Sequence, residues 1–152
     1  MKTKCPCHSK KSYADCCRPL HKAARSATTP EELMRSRYSA FALGEVDYLA
    51  KTLCKDHPDK TEDAAGGYRR ARESRRFLDL CIMHTSIEGE TGEVLFYARI
   101  FERGVDYSFV ELSGFVKEDG EWRYASGLMI ETKDLPPDPR KVTRADVLAH
   151  HA

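Results

Sequence analysis

The chain has 152 residues, enough to bury one core with a small appendage and too few for two full domains. Lys and Arg total 25 against 24 Asp and Glu, a net charge of +1, so no global field draws the chain onto nucleic acid or an anionic membrane. No apolar run approaches the roughly 18 residues of a membrane span, and the opening Met1 to Pro6 lacks the apolar stretch of a secretory signal, so a cytoplasmic location is expected.

Four of the six cysteines fall between Cys5 and Cys17, in the pattern C-x-C-x8-C-C. Cys5, Cys7, Cys16 and Cys17 together offer the tetrahedral sulfur shell that zinc prefers at about 2.3 Å, and a closed four-ligand shell is structural rather than catalytic. One structural zinc ion is therefore expected in a knuckle over residues 1–20. Reduced, unliganded cysteines, or disulfides formed after lysis, are the alternative. Lys10 and Lys11 partly offset the roughly −2 charge of a four-thiolate zinc site. His8 and His21 are spare imidazole ligands by type, with solvated loop histidines as the plainer reading. The stretch resembles the SEC-C motif, written near C-P-C-G-S-G-K-K-Y-x-x-C-C, the zinc module at the carboxyl end of the SecA translocation motor. Ser9, Lys11 and Tyr13 fall in register, while His8 and Lys10 stand where the motif has glycine. A Cβ resists positive φ, so the turn after Cys7 either changes shape or costs about 1 kcal/mol.

Residues 18–28 read as a short polar linker. A helix then starts, with Thr29 as cap, Pro30 at its first position and Glu32 completing a capping box. Leu33, Met34, Tyr38, Phe41 and Ala42 form its apolar stripe, and Gly44 ends it. A second helix is predicted over residues 46–53, a loop over 55–67, and a third helix over 68–80. Five arginines between Arg69 and Arg76 read as a solvated face rather than an RNA-binding stripe, because Glu73 interrupts them and few aromatics interleave.

From Leu80 the period changes to two. Residues 81–88, 93–103, 106–117 and 121–130 alternate apolar and polar side chains, and Glu88-Gly89, Arg103-Gly104 and Asp119-Gly120 mark the turns. Such short connections imply sequential antiparallel hairpins, and hence an α+β fold with helices covering one sheet face. Residues 133–152 read as a polar tail, broken at Leu135 to Pro139 and closing on a short helix over 144–150. His150 and His151 read as solvent-exposed.

The run Leu33-Met34-Arg35-Ser36-Arg37-Tyr38-Ser39-Ala40-Phe41 resembles the YchJ family of small bacterial proteins, which also places a C-P-C knuckle before this helix. Val46-Asp47-Tyr48-Leu49, Val110 to Phe115, and Asp119-Gly120 leading to Glu121-Trp122 extend the resemblance over about residues 4–130. It implies an NTF2-like cone over residues 28–132, with about three helices packed on a curved antiparallel sheet around a cavity. Many family members carry a second knuckle at the carboxyl end, and no such cysteines occur here.

Cones of this type include enzymes in which a buried carboxylate moves a proton. The side chains that could face the cavity here are Tyr38, Tyr48, His84, Tyr97, Arg99, Glu111 and Trp122. Glu111 lies among apolar neighbours, with Arg99 as its expected cross-strand partner. Arg35 and Arg37 could grip a carboxylate or phosphate at the cone mouth, with surface ion pairs as the alternative. The ligand-binding candidates are thus Arg35, Arg37, Tyr38, Arg99, Glu111 and Trp122. Cys54 and Cys81 read as buried small hydrophobes. No phosphate loop, nucleophile elbow or other catalytic motif is present. The leading expectation is a zinc-containing adaptor whose knuckle meets a protein or ribosomal partner, with a dimer surface on the cone left open. The second is a small-molecule-binding or enzymatic cone. Neither membrane nor nucleic acid is an expected partner.

Overall fold

The computed structural model describes residues 3–71 and 75–152. Helix α1 (Arg18–His21) follows the cysteine segment, then α2 (Pro30–Leu43), α3 (Val46–Lys51) and α4 (Ala64–Ala71) precede the strands β1 (Arg75–Glu88), β2 (Thr91–Glu102), β3 (Val105–Asp106), β4 (Phe109–Glu118) and β5 (Glu121–Glu131). Helix α5 (Arg144–His150) ends the chain. The sheet is antiparallel with the order β1-β2-β4-β5, and β3 pairs with β2. This is the α+β layout that the change of period predicts. No helix of the described residues is long and apolar enough to cross a membrane.

The turns follow their residue types. Arg103 and Gly104 have φ of 51° and 80°, and Asp119 and Gly120 have 52° and 80°, so both central residues of each hairpin are left-handed. That twist matches the right-handed twist of the flanking strands. Thr29 Oγ1 accepts from the Glu32 amide at 3.1 Å, as a cap should. The Glu32 carboxylate does not return to Thr29; it accepts from the Thr28 amide at 2.8 Å and holds Arg25 through two bonds of 2.9 and 2.7 Å. Gly44, with φ of 77°, closes α2 in the left-handed region.

Side-chain alternation divides the protein into two cores. On the inner face Val94, Phe96, Ala98 and Ile100 of β2 pack with Leu33, Met34, Tyr38 and Leu49 of the helices. On the outer face Leu95, Val110, Leu112 and Ile130 pack with Val142 and Val147. The segment after β5 therefore lies against the sheet, with Val147 fully buried.

Three sequence expectations are corrected. The predicted third helix is replaced from Arg75 onward by strand, because Arg75, Arg76 and Phe77 find ladder partners in Glu102, Phe101 and Ile100 and tertiary pairing outweighs local helix preference. Helix α4 begins instead at Ala64, inside the expected loop. The expected linker holds α1, whose Leu20 is buried in the inner core. Of the arginine run, Arg69, Arg70 and Arg76 are exposed, Arg75 pairs with Glu102, and Arg72 lies outside the described residues.

Candidate functional site: the cysteine knuckle and the cone cavity

The knuckle is a tight loop closed by backbone bonds: Cys5 N donates to Lys11 O at 2.9 Å, and Tyr13 N to Thr3 O at 2.8 Å. His8 and Lys10 adopt φ of 62° and 73°, so the turn keeps the glycine-like conformation despite their Cβ atoms. That choice costs roughly 1 kcal/mol at each position. It delivers the sulfur atoms of Cys5, Cys7, Cys16 and Cys17 to within 4.8 Å of one another. Cys7 and Cys16 sulfurs are 3.6 Å apart, and those of Cys16 and Cys17 3.9 Å. A zinc–sulfur distance of about 2.3 Å implies tetrahedral edges of about 3.8 Å, so the cluster has the dimensions of a four-thiolate metal shell. Hydrogen bonds from Cys17 and then Cys5 hold the Cys7 thiol well below its ordinary range, while bonds with Cys5 and then Cys7, together with burial, push Cys17 well above it. The Cys7 thiolate is thus favoured at the expense of Cys5 and Cys17, the electrostatic situation that a bound cation relieves.

His8 and His21 stand outside the sulfur cluster and face the body. His21 Nε2 donates to Ser36 O at 2.8 Å and its Nδ1 accepts from the Tyr13 hydroxyl at 2.7 Å, with burial lowering its pKa. His8 Nε2 lies 3.3 Å from Phe77 O. Arg35 belongs to the same seam: Nη1 donates to Cys7 O at 2.9 Å and Nε to Glu31 at 3.1 Å.

Between the helices and the inner sheet face lies a cavity of about 460 Å³. Phe41, Phe77, Phe96, Phe109 and Phe115 line it, together with Tyr38, Tyr68, Tyr124, Arg37, His57 and Glu111. Phe41, expected in the core stripe of α2, is 41% exposed and stands edge-on to Tyr68 at 5.7 Å on the cavity wall. Glu111 is buried on β4. Its Oε2 accepts from the Ser113 hydroxyl and, at 3.0 Å, from the Tyr124 hydroxyl, while burial pushes the carboxyl above the ordinary range. Arg37 donates to Leu49 O at 2.8 Å and Thr52 Oγ1 at 2.6 Å, and its guanidinium lies 4.8 Å over the Tyr124 ring. The Tyr38 hydroxyl donates to Asp79 O at 3.0 Å.

Several candidates separate here. Arg99 does not pair with Glu111: it points from the outer face, is exposed, and lies over Phe101, while Glu111 faces Phe96 and Met129 across the ladder. Arg35 and Arg37 form no joint clamp, because two residues along a helix turn side chains to nearly opposite faces. Trp122 is buried in the inner core under Lys117 rather than on the cavity wall. Tyr48 hydrogen-bonds Ser36 at 2.6 Å, Tyr97 packs with the outer core, and His84 is exposed. Cys54 is buried and Cys81 half-buried. Sequence reasoning missed Ser113 and Tyr124. Ser113 shares Glu111's strand parity, which could have flagged it; Tyr124 enters through a bulge at Gly114/Phe115 that no alternation reveals.

A family described as "YchJ, middle NTF2-like domain" matches residues 29–127. The chain belongs to the YchJ family. It is 41% identical over 148 residues to a UPF0225 protein of Vibrio vulnificus (strain CMCP6), covering 92% of this chain and 83% of the relative. A UPF0225 protein of Geobacter sulfurreducens is 37% identical over 149 residues, covering 96% and 90%. The solution structure of a SEC-C motif containing protein from Rhodopseudomonas palustris superposes with a TM-score of 0.72 at 38% identity, covering 84% of this chain and 97% of that one. A SEC-C motif containing protein from Psychrobacter arcticus, at 24% identity and a TM-score of 0.66 over 80% of each chain, shares the fold. The YchJ family's NTF2-like cone and its four-cysteine amino-terminal cluster are thus both present in this chain.

Proposed function

We propose that this protein is a ligand-binding cone stapled by one structural zinc ion. Cys5, Cys7, Cys16 and Cys17 hold the metal, and the cavity takes a small organic molecule. The likeness to a SEC-C motif protein and the tetrahedron-sized sulfur cluster support zinc; four thiolates would fill its shell and leave no open position for catalysis. The observation that carries the ligand-binding reading is the cavity itself. Its volume of about 460 Å³ lies in the range of small-molecule sites, and its apolar wall is broken by a few placed polar groups around Glu111.

An adaptor role for the knuckle has less to carry it, because His8 and His21 turn their hydrogen bonds toward the body and Arg35 of α2 donates to the knuckle's Cys7 O. Xenon enters apolar cavities and reports them by NMR. Saturable xenon-induced shifts are expected at Met34, Phe96 and Ile100, and indole occupying the same space should abolish them. Shifts scattered over the surface, with none at these residues, would mean that the interior is closed and end the ligand-binding reading.

A further inference from the structure

Resting on the ligand-binding reading, we infer that the cavity selects neutral, planar aromatic or heteroaromatic molecules of two or three rings that present an N–H or O–H donor to Glu111 Oε1. The Glu111 carboxyl is asymmetric. Oε2 accepts from both Ser113 and Tyr124, whereas Oε1 has no hydrogen-bond partner among the described residues, and Glu111 lines the cavity. Oε1 is not sealed from solvent, so a ligand group that donates to it takes the place of water, whereas a ligand that covers it without donating leaves the oxygen unpaired. The carboxyl is also held in place. A Cβ at Gly127 would fall 2.4 Å from the Tyr124 hydroxyl and 2.7 Å from Glu111 Cδ, so the bare glycine forms the slot in which the pair sits.

Charge and shape narrow the ligand further. The Arg37 guanidinium is committed to Leu49 O, Thr52 and Tyr68, so it balances Glu111 without being available to an anion. At the rim Arg75 is paired with Glu102. A charged ligand would therefore leave one charge unmatched beside the buried Glu111 and Arg37, and a neutral one would not. The walls favour rings. Tyr38 meets Phe77 edge-to-face at 5.4 Å and Phe96 meets Phe109 at 5.9 Å, and all four line the cavity, a ring-rich wall that suits an aromatic ligand. An apolar cavity on the order of 150 Å³ holds one benzene ring, so the space here suits two or three rings.

The test is an amide NMR titration of the zinc-loaded full chain at neutral pH with 2-naphthol, which has the donor, and 2-methoxynaphthalene, which lacks it. Both should shift Phe96, Ile100 and Glu111, with 2-naphthol bound about tenfold more tightly, the size of one hydrogen bond. In Glu111→Leu the preference should fall to about onefold. Should that variant fail to fold, Glu111→Gln should still reduce the preference several-fold. Equal affinities with shifts at the cavity, or a preference for the methoxy compound, would overturn donor recognition while leaving ligand binding intact. No cavity shifts with either compound would overturn both.

Discussion

Glu111 sits among aromatic side chains, and burial pushes its carboxyl above the ordinary range even though Ser113, Tyr124 and Arg37 favour the charged form. The folded state thus binds a proton that the unfolded state has released, so stability tied to this group is full below the unfolded pKa and declines as pH rises toward the folded value. Comparing wild type with Glu111→Gln isolates the effect, since proton-linked metal loss is common to both. The melting temperature of Glu111→Gln relative to wild type is expected to climb from about pH 4.5 upward and then level off. A flat difference across that range would mean that Glu111 titrates as an ordinary exposed carboxylate. His21 runs in the opposite sense: burial lowers its pKa, so its bridge from Tyr13 to Ser36 weakens as pH falls below the usual histidine range.

At the scale of elements, α5 shows how a short helix depends on its packing against the sheet. Thr143 and Asp146 cap it reciprocally, with bonds of 3.1 and 2.9 Å, but seven residues are too few to persist on local interactions alone. Val147, fully buried in the outer core, supplies the buried apolar contact. Val147→Ala should cost roughly 1–3 kcal/mol by leaving a cavity, and Val147→Asp should undock the helix altogether. Hydrogen exchange would show α5 amides losing protection while β2 and β4 keep theirs. Unchanged α5 protection in Val147→Asp would mean that the caps and the Arg144–Glu93 pair, at 2.7 Å, suffice.

For the molecule as a whole, the knuckle and the cone form one unit through His21, Arg35 and His8. Metal content of about one zinc per chain is expected, and chelation should release four reactive thiols together. Because the knuckle's bonds reach α2 and β1, chelation should also lower the melting temperature of the cone. Cys16→Ser, at the least buried ligand, should do the same in milder form. A cone whose melting is unchanged by chelation would show the knuckle to be an independent appendage.

The sequence by itself determined the cysteine cluster, the capped helix from Pro30, the four long strands with two left-handed hairpin turns, and the final helix, because each rests on local chemistry: ligand spacing, cap residues, glycine turns and side-chain period. What lay beyond local chemistry was decided by tertiary structure. Residues from Arg75 onward became strand because a partner strand was waiting, and Phe41 reached the cavity wall because the inner sheet face leaves space there. Glu111 took Ser113 and Tyr124 rather than Arg99, since ladder register and a bulge, neither written in alternation, set which side chains meet. Likewise the cavity is visible in no residue alone, because it is the space that a curved sheet and its helices fail to fill.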